Sequence, residues 1–161
     1  MIFVECFADH LLFSQLKFGH DEIHSGIGEV GNRMKSERMK GKKCLGIIDN
    51  DKRQSDYFKN DFEKIEGTEN LIFLKHHKEK HYLIKIEPAV EGFILACAVQ
   101  AEVSPSKYRL PDTILGLKSL TRKKEILKNQ QFINFIHQIV AREEDGIKKL
   151  KDYVNAFYKI K

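Results

Sequence analysis

The chain has 161 residues, 42% of them hydrophobic, with a formal net charge of +5. That is enough apolar material for one globular core, while no apolar run approaches the roughly 20 residues needed to span a bilayer. Met1-Ile2-Phe3-Val4-Glu5 has neither a basic leader nor a small-residue cleavage site, and Cys6, Cys44 and Cys97 lie scattered in apolar segments without disulfide or zinc spacing, so the expectation is a cytoplasmic protein with reduced core cysteines.

Taken in chain order, Ile2 to Glu5 reads as a short apolar strand. Leu11, Leu12, Phe13 and Leu16 then repeat at helical spacing from about Ala8 to Lys17, with Phe18-Gly19-His20 as the stop. Glu22 to Ser25 is a weaker strand leading into the turn Gly26-Ile27-Gly28, and a second helix runs from about Glu29 to Met39. Lys43 to Ile48 is continuously apolar, as suits a parallel strand covered on both faces. Tyr57, Phe58, Phe62 and Ile65 predict a helix from Ser55 to Ile65. Leu71 to Leu74 and Tyr82 to Ile86 predict two strands around an exposed charged hairpin that contains His76, His77 and His81, and Pro88 opens a helix from Ala89 to about Val99.

Ser104-Pro105-Ser106 and Leu110-Pro111-Asp112 bracket a linker, beyond which the pattern is helical. One short helix begins at Asp112 or Thr113. Phe132, Phe135, Ile136, Ile139 and Val140 make one apolar stripe, and Ile147, Leu150, Val154, Phe157 and Tyr158 make another. Residues 104–161 carry 13 Lys or Arg against 6 Asp or Glu, whereas residues 1–103 carry 15 against 17. The expected organisation is an α/β domain over 1–103, three-layered and Rossmann-like with a mostly parallel sheet of four to five strands, and a basic helical extension over 104–161 packed on it. A basic tail on a neutral body suits a polyanionic partner, because phosphate contacts dominate such binding.

Chemistry concentrates at the strand ends. Asp49 and Asp51 flank Asn50 directly after the apolar run Cys44 to Ile48, and Glu5 follows the first strand. Like charges held this close at a desolvated strand end are costly unless something binds them, and Mg²⁺ takes a few carboxylates together with water and phosphate oxygens. In a parallel sheet, groups beyond the carboxyl ends of the strands share one edge. Asp9 falls in the first turn of the first helix and Glu91 in that of the helix after the last strand, which brings the set to Glu5, Asp9, Asp49, Asp51 and Glu91. Two divalent ions in such a cage can activate a water and steady the leaving oxygen of a phosphodiester. Lys52 and Arg53 are placed to neutralise a phosphate, and Lys118, Arg122, Lys123 and Lys124 form the densest basic patch, suited to a nucleic-acid backbone.

The segments Phe3-Val4-Glu5-Cys6-Phe7-Ala8-Asp9, Gly26-Ile27-Gly28-Glu29-Val30 and Gly46-Ile47-Ile48-Asp49-Asn50-Asp51 together resemble the TOPRIM domain. With an acid four residues after the glutamate and Pro88-Ala89-Val90-Glu91 beyond the fourth strand, the likeness is to the overcoming-lysogenization-defect (OLD) nuclease branch. It covers about residues 1–100, and it departs from the family at Cys6, where glycine is usual. The resemblance implies Mg²⁺ or Mn²⁺ held by Glu5, Asp9, Asp49, Asp51 and Glu91, and catalysis by Glu5, Asp49 and Asp51. It also implies DNA or RNA as substrate and a separate ATPase protein as partner. A non-catalytic interaction or nucleic-acid-binding module on the same fold is the alternative that the sequence leaves open. A receiver-like phosphotransfer domain ranks behind both, since it needs a lysine at a strand end and Lys85 does not fit that place.

Overall fold

A computed structural model describes residues 1–22, 26–50 and 54–160. Asp51, Lys52 and Arg53, and residues 23–25 of the strand expected from Glu22 to Ser25, lie outside the described residues. The elements in order are β1 (Ile2–Val4), α1 (Phe7–Gln15), β2 (Asp21–Glu22), α2 (Ile27–Lys35), β3 (Cys44–Asp49), α3 (Asp56–Asn60), β4 (Phe62–Gly67), β5 (Leu71–His76), β6 (His81–Ile86), α4 (Val90–Gln100), α5 (Ile114–Thr121), α6 (Gln130–Arg142) and α7 (Asp145–Lys159). Among the described residues, no helix is long and apolar enough to cross a membrane.

The strands form one mixed sheet in the order β2-β1-β3-β6-β5-β4. The pairings β1 with β2, β1 with β3 and β3 with β6 are parallel, whereas β5 runs antiparallel to both β6 and β4. This corrects the expected mostly parallel sheet of four to five strands. The extra strand is β4, in a stretch read as the second half of a helix. The helix α3 stops at Asn60, and the chain reverses at Asp61, whose carbonyl accepts the N–H of His77 at 2.9 Å. Phe62 then points inward while Glu63 to Glu66 are exposed, and the ladder shifts register between Lys64 and Glu66.

Alternation along the strands assigns each face its helices. Ile2, Val4, Leu45, Ile47, Tyr82, Ile84 and Ile86 face a core shared with α1, α4, α6 and α7. Phe3, Cys44, Ile48 and Leu83 face the opposite way, against Val30 and Met34 of α2 and Phe58 of α3. Gly46 is required on that side, because a Cβ there would sit 2.6 Å from the Met34 sulfur and 3.1 Å from Leu83 Cδ1. The first core crosses the boundary expected at residue 103. Tyr153 of α7 stacks on Phe73 of β5 with ring centroids 5.2 Å apart, and Leu117, Phe132 and Phe135 are buried in the same cluster.

Two local expectations change. The positive φ that ends α1 belongs to Lys17, at 60°, and not to Gly19. The β5–β6 hairpin lies inside the sheet, so His76 and His81 are buried and only His77 is exposed. His76 Nδ1 accepts the N–H groups of Lys78 and Glu79 at 3.0 Å each, and the Tyr57 hydroxyl lies 2.7 Å from His81 Nδ1.

Candidate functional site

Because β1, β3 and β6 are parallel, their carboxyl ends open onto one edge. Glu5 follows β1, Asp49 closes β3, and α4 starts shortly after β6. The first turns of α1 and α4 reach the same edge, and their unpaired N–H groups recruit the carboxylates. Asp9 is the third residue of α1 and accepts the N–H of the N-cap residue Cys6 at 3.1 Å. Asp49 Oδ1 accepts the first N–H of α4, from Val90, at 2.7 Å. Glu5 reaches across and accepts the N–H of Asp49 at 2.9 Å. Glu91, in the first turn of α4, accepts the hydroxyl of Thr121 from α5.

The electrostatics match this crowding. Asp9 is fully buried, and its carboxyl is pushed well above the usual range, first by burial and then by the charges of Asp49 and Glu5. Asp49 is raised to about 7, by burial and then by Glu5, with Glu91 adding to it. The Val90 N–H and the ammonium of Lys118 on α5 pull Asp49 the other way. Burial, followed by Asp9, pushes the Cys6 thiol well above its ordinary value. A raised thiol is a poor nucleophile, which leaves Cys6 as a small residue beside the acids.

Among the described residues, two buried carboxylate oxygens have no hydrogen-bond partner: Asp9 Oδ1 and Glu91 Oε2. An unpaired buried carboxylate oxygen is strongly unfavourable, and a hard cation satisfies it. All the donors here are carboxylate oxygens, the chemistry that Mg²⁺ and Mn²⁺ favour. Among the described residues, however, no three His, Cys, Asp or Glu side chains converge closely enough to hold a metal ion. Mg²⁺ commonly binds through one or two carboxylates and keeps its remaining waters, and the donors gathered here are of the oxygen type it takes. Asp9, Asp49 and Glu91, with Glu5 beside them, are the residues that would hold it.

A comparison of the chain with protein-family models, curated proteins and solved structures finds no match to any of them. The site therefore stands on its own geometry. Glu5, Asp9, Asp49 and Glu91 are brought together from three separate segments of the sequence, Glu5 and Asp9 lying in the same one. Lys118 is half-buried and interacts with Asp49, while Arg122, Lys123 and Lys124 are exposed just beyond α5.

The sequence reading missed a polar chain along the neighbouring edge. Glu87 accepts the Asn50 amide, Asn50 Oδ1 accepts Gln54 Nε2 at 2.5 Å, and Gln54 Oε1 accepts the buried Lys85 ammonium at 2.6 Å. Burial lowers the affinity of Lys85 for its proton. Thr121 was missed as well. Its one sequence signal is a hydroxyl in the apolar pattern of Leu117 and Leu120, on the same helical face as Lys118.

Proposed function

We propose that this chain performs divalent-metal-dependent phosphodiester chemistry on nucleic acid, in the manner of a nuclease of the TOPRIM or OLD type. The observation that carries this reading is the gathering of Glu5, Asp9, Asp49 and Glu91 at one sheet edge, with two buried carboxylate oxygens left without a partner among the described residues. When bound, Mg²⁺ or Mn²⁺ supplies a Lewis acid and a water that is more readily deprotonated. Glu5 is fixed on the backbone of Asp49 and serves as the general acid or base. Lys118, already opposed to Asp49, and the exposed Arg122, Lys123 and Lys124 meet the phosphate backbone. Dependence on a separate ATPase partner follows from the resemblance alone.

The test is cleavage of plasmid DNA and of single-stranded RNA with Mn²⁺ or Mg²⁺. Asp49→Ala and Glu5→Ala are expected to lower metal-stimulated cleavage by more than about 100-fold, beyond the roughly 10- to 100-fold cost of losing an outer partner of a ligand. Cleavage by either variant at the wild-type rate would end the reading. A second reading, a non-catalytic module of the same fold, is favoured by the failure of three donors to converge among the described residues. Calorimetric titration with millimolar Mn²⁺ separates the two, since the module binds none.

A further inference from the structure

We propose that Thr121, from the C-terminal helical extension, is a positioning residue of the carboxylate site. Its hydroxyl holds Glu91 Oε1 and so leaves Oε2 as the oxygen offered to a cation. The inference rests on the metal-dependent reading above and adds a residue for which that reading has no role.

A buried threonine on a helix can satisfy its hydroxyl on the carbonyl one turn back, and the Lys118 carbonyl stands 3.3 Å from Thr121 Oγ1. The hydroxyl also makes a short bond to a carboxylate 30 residues away in the sequence. Both partners are shut off from solvent, Thr121 at 2% and Glu91 at 3% exposure. Glu91 thus keeps one oxygen tied and one unpaired, an arrangement that is unfavourable for packing alone and useful if the free oxygen has a ligand.

The approach of α5 to α4 is itself built in. Gly92, next to Glu91, has no side chain to hold α5 off, and a Cβ there would lie 3.2 Å from Ile114 Cδ1 and 2.9 Å from Pro88 Cδ. Thr113 caps α5 by accepting the Gly116 N–H at 3.1 Å, and Leu117 is fully buried beneath it. Lys118 and Thr121, three residues apart, then present one face of α5 to Asp49 and Glu91. The extension is a wall of the site as well as a basic handle.

Mn²⁺ affinity of the full chain, measured by calorimetry, tests the role without any activity assay. Thr121→Val keeps the shape and removes the hydroxyl, and is expected to weaken Mn²⁺ binding about 10- to 100-fold, the usual effect of losing an outer partner. Thr121→Ser keeps the hydroxyl and should bind within about threefold of wild type on the same scale. Thermal melts in EDTA show whether each variant is folded, and Thr121→Ala carries the same expectation if the valine does not pack. Valine or alanine binding like wild type, or serine failing to restore affinity, overturns the role of Thr121 and leaves the metal reading standing. Wild type binding no Mn²⁺ overturns both.

Discussion

Burial and then the Glu5 charge push the Asp49 carboxyl up to about 7 in the folded chain, against 3.8 ordinarily, and the direction of that change sets how stability depends on pH. Between those values the folded state holds more protons than the unfolded one, so stability falls as pH rises through the window. Asp9, raised by the same causes, acts in the same sense. In EDTA the protein is expected to melt at least about 4 °C lower at pH 8 than at pH 5, since about 1 kcal/mol moves a chain of this size by roughly 2–4 °C. Asp49→Asn still accepts the Val90 N–H through its amide oxygen, so it should flatten that dependence. It should also stabilise the metal-free chain at pH 8 by about 1–3 kcal/mol, taking roughly 1.4 kcal/mol per pH unit less solvent screening. A melting profile unchanged by the substitution would show that Asp49 is ionised throughout. At this scale the placing of Glu5, Asp9, Asp49 and Glu91 together was legible, because the carboxyl ends of parallel strands and the helices that follow them share one edge, although Asp9 and Asp49 also accept N–H groups at helix starts. Thr121 was not legible, since its partner is 30 residues distant and only packing brings the two together.

Elements read correctly are those whose periodicity has one interpretation. The run from Cys44 to Ile48 is apolar at every position and became the central strand, and the stripes of α6 and α7 became buried helix faces. The failure at Phe62–Gly67 has a physical cause. Tyr57, Phe58, Phe62 and Ile65 are spaced like one helical face, yet Ile65 is 50% exposed on a strand while Phe62 packs beside Phe58. Ile65→Thr should therefore change stability by no more than about 0.5 kcal/mol. Gly46→Ala, one methyl on the neighbouring core, should cost about 1–3 kcal/mol because Met34, Leu83 and Val30 already fill the space. Urea unfolding of the two variants checks both, and equal effects would contradict this assignment of faces.

At the scale of the molecule, the division at residue 103 separates what the core joins. Phe132, Phe135, Leu150, Tyr153 and Phe157 share one cluster with Val4, Leu45, Ile84 and Phe93. Composition and charge made the two parts look distinct, but charge reports the surface and the cluster is interior. The full chain is expected to unfold in one transition, with near- and far-ultraviolet circular dichroism coincident. A fragment of residues 1–103 should lack a cooperative transition, and a sharp melt from that fragment would show that the α/β part folds alone. The interior also explains why Lys43 is half-buried beside β3: its ammonium lies over Phe157 and donates to the carbonyls of Tyr158 and Ile160 at 3.2 and 2.8 Å, fastening the end of α7 to the sheet.

The register shift in β4 has a consequence for how copies of the chain meet. A sheet margin that is long, flat and apolar invites a strand from another molecule, and natural proteins blunt such margins with charges and irregular pairing. Here the outermost strand carries Glu63, Lys64 and Glu66 on exposed positions, breaks its ladder between Lys64 and Glu66, and has Glu66 engaged by Lys149 of α7. Replacing those three charges with valine would turn the same strand into an adhesive edge. Light scattering should then rise with concentration for that variant and stay level for the unaltered strand.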